Sequence, residues 1–271
     1  MSYPYFFIKT ENVDGSRISV KGSDLNHLVN VLRVKKGDVI DLSDSHKFRY
    51  KAEVVKIDRA EALLSVKEKY EIFKPFPRII LFQCILKKNA MEIAIQKTAE
   101  IGISSIVPIF SRRVTIDKKR LDNKIGRWGV IAMQASKQCK RDFICKVESP
   151  IDIFSINISK FDIFYLPYER IEKKKSEGID ILGRLSDYFK KITSSKVGSD
   201  SGGSDSSNRH ITGSIGYIIG PEGGFEEEEV NFLKRNKAAV VYLGKNILRS
   251  ETAAIYFLSV LDYSLKRYKR Y

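Results

Sequence analysis

Two stretches near the C-terminal end hold residue types from which a small-molecule site can be built. They are Ile218-Ile219-Gly220-Pro221-Glu222-Gly223-Gly224 and, about twenty residues on, Leu243-Gly244-Lys245-Asn246-Ile247-Leu248-Arg249-Ser250-Glu251-Thr252-Ala253-Ala254. Each opens on a short apolar, β-branched run (Tyr217 to Ile219, Val240 to Leu243), breaks at glycine and gives way to a helical pattern. Glycine after a strand lets the backbone turn sharply and approach a ligand with no Cβ in the way, so either loop can bind a small molecule through main-chain groups. Glu226 to Glu229 follow Gly224, where acidic side chains suit the positive end of a helix, and Val230, Phe232 and Leu233 supply that helix's apolar face. One such loop alone reads as an ordinary turn; two in tandem point to a composite site.

Other chemistries find no support. Three cysteines (Cys84, Cys139, Cys145) and three histidines (His27, His46, His210) are scattered, which argues against a disulfide framework and offers no zinc spacing, so no metal site is expected. There is no phosphate-binding G-x-x-x-x-G-K-[ST] loop, no G-x-G-x-x-G dinucleotide fingerprint and no nucleophile elbow.

The elements around these loops must come from 271 residues, enough for one large domain or two modest ones. The 43% hydrophobic content is ordinary, but a formal net charge of +15 calls for a polyanion, nucleic acid before anionic membrane. No apolar run approaches a bilayer span, and Tyr3 to Ile8 is too short and lacks the basic lead of a secretory signal; a cytoplasmic protein without a membrane partner is expected.

Residues 5 to about 70 read as a small β-rich unit, with strands at Tyr5–Ile8, Arg17–Val20, Val39–Leu42, Tyr50–Ile57 and Ala62–Lys67 and a helix over His27–Val34. So many short strands suggest a barrel. Lys74-Pro75-Phe76-Pro77 disfavours helix and central strand alike, and marks a boundary between a domain over 1–72 and another over 73–271. Beyond it, Arg78–Leu86 is a strand buried on both faces, Met91, Ile95, Thr98 and Ala99 fall at helical spacing before Gly102, and Ile106–Phe110 is the next strand. This β-α-β alternation predicts a parallel sheet covered by helices. Ser111-Arg112-Arg113 follows a strand end, where two adjacent arginines suit RNA phosphates. A helix starts at Arg127-Trp128 and runs to Arg141, Phe161–Leu166 is another buried strand, and Ala253–Leu265 is a buried helix. Ile179–Ile192 is amphipathic, while Gly198 to Ser207 is low-complexity, the centre of a flexible insertion over about 193–213.

The two loops, as "IGPEGGF" and "LG-x-x-ILR-x-ETA", resemble the signatures of the RsmE-type enzymes of the SPOUT class, which methylate N3 of a uridine in small-subunit ribosomal RNA using S-adenosylmethionine. Nearly the whole chain is similar. His27 to Asp38 resembles "H-x-x-x-VLR-x-x-x-GD"; Lys87 to Gly102 resembles "K-x-x-x-ME-x-x-x-QK-x-x-E-x-G"; the Arg127–Arg141 helix resembles "RW-x-x-I-x-x-EA-x-x-Q-x-x-R". Three departures stand out: Gln134 in place of glutamate, Lys245-Asn246 where Pro-Arg is frequent, and Tyr3-Pro4-Tyr5 at a start that often carries arginine.

The resemblance implies an α/β SPOUT trefoil-knot methyltransferase domain preceded by a PUA-like β-barrel, acting as a homodimer on 16S ribosomal RNA within the small subunit. It implies that Leu166, Pro167, Ile219, Gly220, Pro221, Glu222, Gly223, Gly224, Leu243, Gly244, Ile247, Leu248 and Arg249 hold the cofactor. Arg33, Lys35, Lys36, Arg112, Arg113, Gln138 and Arg141 are the candidate RNA contacts. Uracil N3 carries a proton, so transfer needs a base or a cation over the oxygens. Arg249 is the candidate cation, and Glu169, Glu222 and Glu251 are the candidate bases; a mutual Arg249–Glu251 brace is the competing reading. Two alternatives stay open: a nonenzymatic RNA-binding assembly factor, which Lys245-Asn246 favours, and a transfer-RNA methyltransferase of the same fold.

Overall fold

The computed structural model describes residues 3–87, 89–114, 121–169, 185, 187, 190 and 213–268. The amphipathic stretch over 179–192, apart from three isolated positions, and the low-complexity stretch over 193–212 lie outside the described residues. The chain divides into two compact units, Met1–Lys74 with Met133–Ile144, and Pro75–Ala132 with Cys145–Tyr271.

In the first unit, strands β1 (Tyr5–Phe7), β2 (Val13–Asp14), β3 (Arg17–Lys21), β4 (Val39–Ser43), β5 (Phe48–Ile57) and β6 (Glu61–Glu71) make a curled sheet in the order β1-β4-β5-β6-β3-β2. β1 runs parallel to β4 and the remaining pairs are antiparallel. Side chains alternate across a strand, so Ile18 and Val20, Ile40 and Leu42, Tyr50, Ala52 and Val54, and Ala62 and Leu64 all enter one core. Helix α1 (Gly22–Asn26) continues as a π-helical turn over His27–Val31, burying Leu25 and Leu28. The helix therefore starts earlier than its apolar spacing suggests. It does not reach Val34, because Arg33 takes a left-handed φ of 53°. Residues 133–144 join this unit through Tyr5 Oη to the Arg141 carbonyl at 2.7 Å, Ser43 Oγ to the Asp142 carbonyl at 2.7 Å, and Lys137 to Asp24 at 2.7 Å.

The second unit contains β7 (Arg78–Cys84), α2 (Asn89–Ile101), β8 (Ser105–Phe110), the start of α3 (Leu121–Gln138), β9 (Lys146–Val147), β10 (Ile151–Asp152), β11 (Ile163–Pro167), β12 (Ser214–Ile219), α4 (Glu227–Arg235), β13 (Ala239–Val241) and α5 (Ser250–Tyr268). Its sheet runs β10-β8-β7-β12-β11-β13, with β9 also on β8, and every described pair is parallel. Every residue of β12 is buried, as a central parallel strand with both faces covered requires. On one face Phe82, Phe164, Ile218, Phe225 and Leu233 share a cluster. On the other, Phe257 of α5 packs against Tyr165 and Tyr217 with ring centroids 5.3 and 5.0 Å away. Full burial of such a side chain is worth about 1.5–3 kcal/mol. α5 is thereby fixed to the sheet at its N-terminal half, next to the second glycine loop.

Candidate active site

Because β7, β11, β12 and β13 are parallel, their C-terminal ends reach the same edge of the sheet. Ligands of open α/β sheets bind outside that edge. Pro167 ends β11 beside Val241, and Ile219 ends β12 beside Gln83 of β7, so both glycine loops leave the sheet there. Leu166, Pro167, Ile219 and Pro221 are buried, Leu243 and Leu248 are half-buried, and Ile247 is 84% exposed. β13 ends at Val241, two residues short of the apolar run, because Val241 is the last to pair with β11.

The first loop is tied at nearly every residue. The Gly220 carbonyl accepts from Ser250 Oγ at 2.6 Å. Glu222 Oε1 accepts from the main-chain N–H of Lys87 at 2.9 Å. The Gly223 carbonyl accepts from Arg113 Nη1 at 2.6 Å, and Gly224 donates its N–H to the Pro221 carbonyl at 2.9 Å. Gly224 has φ +71°, and a Cβ there would stand 3.5 Å from Glu169 Oε1, so Glu169 lies directly against the loop. Gly244 turns the second loop at φ +129°.

Behind the first loop sits Glu229, a fully buried carboxylate. One oxygen accepts from the Glu226 N–H at 2.8 Å, closing a capping box at the start of α4, and the other accepts from the Arg112 N–H at 2.8 Å. Arg113 lies 3.8 Å from Glu226 and Arg112 lies 3.7 Å from Glu228, with the Arg112 guanidinium 5.7 Å from the Phe154 ring. Two of the proposed phosphate contacts thus also brace the glycine loop and the helix behind it.

A second internal strut begins at Gln83, fully buried in β7. Its Nε2 donates to the Cys84 carbonyl and to Ser250 Oγ, both at 3.0 Å. Its Oε1 is buried with no donor among the described residues. Such an acceptor costs about 1–3 kcal/mol. A glutamine inside an otherwise apolar strand was the signal for this strut; Glu229 gave none, being one of four consecutive glutamates. Cys84 is fully buried, and burial pushes its thiol well above the usual range, with Ser111 acting the other way and the neighbouring Glu229 charge adding to the rise.

Arg249 is exposed, immediately before Ser250, and its carbonyl accepts from the Ala253 N–H at 2.8 Å. Among the described residues it forms no ion pair, with Glu251 or with any other carboxylate. Glu251 is half-buried in the first turn of α5. Of the remaining candidates, Arg33, Lys35 and Lys36 are exposed in the loop after α1, Gln138 is exposed and Arg141 half-buried, and all five belong to the first unit. Trp128 is buried, 3% exposed. Among the described residues no group of three or more His, Cys, Asp or Glu side chains could hold a metal, and no helix is long and apolar enough to cross a membrane.

A family model described as an RNA methyltransferase domain matches residues 74–262, and one described as an RNA methyltransferase PUA domain matches residues 20–67. The chain is 30% identical over 257 residues to ribosomal RNA small subunit methyltransferase E 2 of Borreliella burgdorferi, 94% of each chain being covered. It is 27% identical over 263 residues to ribosomal RNA small subunit methyltransferase E of Bacillus subtilis, covering 94% of this chain and 93% of that protein. In fold it matches a crystal structure of ribosomal RNA small subunit methyltransferase E from Neisseria gonorrhoeae bound to S-adenosyl methionine, with a TM-score of 0.75 at 22% identity over 97% of this chain and 98% of that one. The architecture is accordingly that of an α/β SPOUT-class methyltransferase domain following a PUA-like domain.

Proposed function

Since the chain belongs to the ribosomal RNA small subunit methyltransferase E family of RNA methyltransferases, we propose that it transfers a methyl group from S-adenosylmethionine to N3 of a uridine in 16S ribosomal RNA, giving 3-methyluridine. The observation that carries this is the tying of both glycine loops to one another at the C-terminal edge of the sheet, through Ser250 Oγ and the Gly220 carbonyl.

The residues at that edge fit the cofactor. The left-handed Gly224 and Gly244 leave main chain open to close approach, while Leu166, Ile219, Leu243 and Leu248 offer apolar surface for an adenine ring and a thioether chain. Leu166, Pro167, Ile219, Gly220, Pro221, Glu222, Gly223, Gly224, Leu243, Gly244, Ile247, Leu248 and Arg249 are the residues assigned to hold it. When bound, S-adenosylmethionine supplies a methyl already activated by the sulfonium charge, leaving the protein mainly to align and deprotonate the acceptor.

The chain's own residues supply the rest. Uracil N3 must lose its proton before its lone pair can take the methyl. Glu169, exposed at the end of β11 against Gly224, is the proposed acceptor of that proton. Glu222 is occupied by Lys87 and Glu251 is held in the first turn of α5, which suits both to bracing. Arg249, exposed and without an ion pair among the described residues, is the proposed cation that offsets negative charge spread onto the uracil oxygens. The target base must leave its stack to reach such a pocket.

Arg33, Lys35, Lys36, Gln138 and Arg141 on the first unit, with Arg112 and Arg113 on the second, are proposed to bind the RNA backbone, in keeping with the net charge of +15. A homodimer is part of the proposal; Val130 on α3 and Tyr256 and Tyr263 on α5 expose apolar surface, at 47, 47 and 70%, that a second copy would cover. Calorimetry with S-adenosylmethionine tests the cofactor reading: saturable one-to-one binding supports it, and no heat at millimolar ligand removes it. Light scattering tests the dimer, which a monomer at working concentration would exclude.

A further inference from the structure

Gln83, Ser250 and Gly220 form a hydrogen-bond chain whose direction is fixed by chemistry. The Gly220 carbonyl can only accept, so at 2.6 Å the Ser250 hydroxyl must donate to it. Ser250 Oγ is then an acceptor toward Gln83, whose Nε2 stands 3.0 Å away. The Cys84 carbonyl, also 3.0 Å from Nε2, fixes the same amide orientation, because inverting it would set two acceptors face to face. The buried Gln83 Oε1 therefore keeps no donor among the described residues, and that lost hydrogen bond is the cost of holding the chain in one direction.

From this arrangement we infer that Gln83 and Ser250 are positioning residues for the cofactor, forming a relay that sets the spacing between the two glycine loops; the inference rests on the proposed S-adenosylmethionine site. Gln83 is anchored in β7, which pairs with the whole of β12 from Ser214 to Ile219. Ser250 opens α5, which Phe257 fixes to the same sheet. Gly220 is the first residue after β12. The relay thus refers both loops to one rigid strand, and it commits the Gly220 carbonyl to Ser250. Neither side chain needs to touch the ligand. Loss of the relay should loosen the loops together and weaken cofactor binding, while the basic surfaces that bind RNA stay as they are.

The test compares wild type, Q83M, S250A, the Q83M/S250A double variant and S250T. The readouts are the S-adenosylmethionine dissociation constant by calorimetry, hydrogen exchange of the two loops without ligand, and affinity for a small-subunit RNA fragment. The relay predicts that Q83M and S250A each weaken cofactor binding about tenfold, a loss expected of one buried hydrogen bond. The double variant should lose no more than the worse single, since either change breaks the same unit. Both singles should speed exchange in both loops, S250T should restore wild-type behaviour by keeping the hydroxyl, and RNA affinity should stay within about twofold. Singles that bind like wild type, or losses that multiply in the double variant, would overturn the relay. If S250A fails to fold, S250V against S250T makes the same comparison at constant shape. Absence of binding by wild type itself would remove the cofactor reading and the relay with it, whereas wild-type binding with unaffected variants removes the relay alone.

Discussion

The main-chain N–H of Lys87 donates to the carboxylate of Glu222, 135 positions later in the chain, across 2.9 Å. The segment leaving β7 is thereby tied to the loop leaving β12, its neighbour in the sheet. A carboxylate already accepting this bond suits a strut better than a proton shuttle. Glu222→Gln retains an acceptor oxygen and is expected to keep methyl-transfer kcat within about fivefold, whereas a general base replaced by an amide should lose about 10²–10⁴-fold. Steady-state kinetics of this one variant separates the two roles. Glu169→Gln is expected to show the larger loss.

Arg249 occupies an unfavourable place for a cation, at the positive end of α5 with no carboxylate partner among the described residues. Replacement by alanine should leave stability unchanged or raise it by about 0.3–1 kcal/mol. Methyl transfer should fall about 10²–10³-fold, as expected when a group that stabilises developing charge is removed. Urea titration and kinetics on the same preparation check both halves, and near-normal transfer by the folded variant would take Arg249 out of the mechanism.

Glu229 gives the opposite expectation. It is fully buried and satisfies the N–H groups of Glu226 and Arg112. Glu229→Ala leaves both donors unpaired and should cost about 2–4 kcal/mol by urea titration. A loss below about 1 kcal/mol would show that the loop and the helix start do not depend on this strut.

In the first unit, burial raises the Tyr5 hydroxyl to about 12, the nearby Arg49 guanidinium acting the other way. The folded state therefore favours the protonated phenol. Its contribution is complete below the ordinary tyrosine value near 10 and is lost as pH rises from there to about 12. Chemical denaturation at intervals across that window should show falling stability in wild type and a flatter profile in Tyr5→Phe. The variant should also lose about 0.5–1.5 kcal/mol at neutral pH, with the bond to the Arg141 carbonyl gone.

Much of this arrangement is visible in the linear chain, for reasons that differ by element. The glycine loops stand out because strand, glycine and helix follow within a dozen residues, and β7 and β12 because central parallel strands are apolar throughout. The two-residue strands β2, β9 and β10 leave no pattern of their own, since their pairing is decided by neighbours. The attachment of residues 133–144 to the first unit is equally hidden, because Tyr5, Ser43 and Asp24 are about a hundred positions or more from their partners. Arg112 and Arg113 read as phosphate ligands in isolation; their contacts with Glu228, Glu226 and Gly223 exist only once β8 and α4 are folded. The mutual brace of Arg249 and Glu251, the competing reading of that loop, is not formed: among the described residues the two make no ion pair.

The most direct test of the proposed reaction is transfer of a labelled methyl from S-adenosylmethionine to small ribosomal subunits isolated from cells lacking this gene, with mass spectrometry of the digested RNA. One 3-methyluridine per 16S ribosomal RNA, formed about 10²–10³-fold more slowly by Arg249→Ala, is the predicted result. Label in another nucleoside or in transfer RNA, or no label from a protein that binds the RNA, would contradict it.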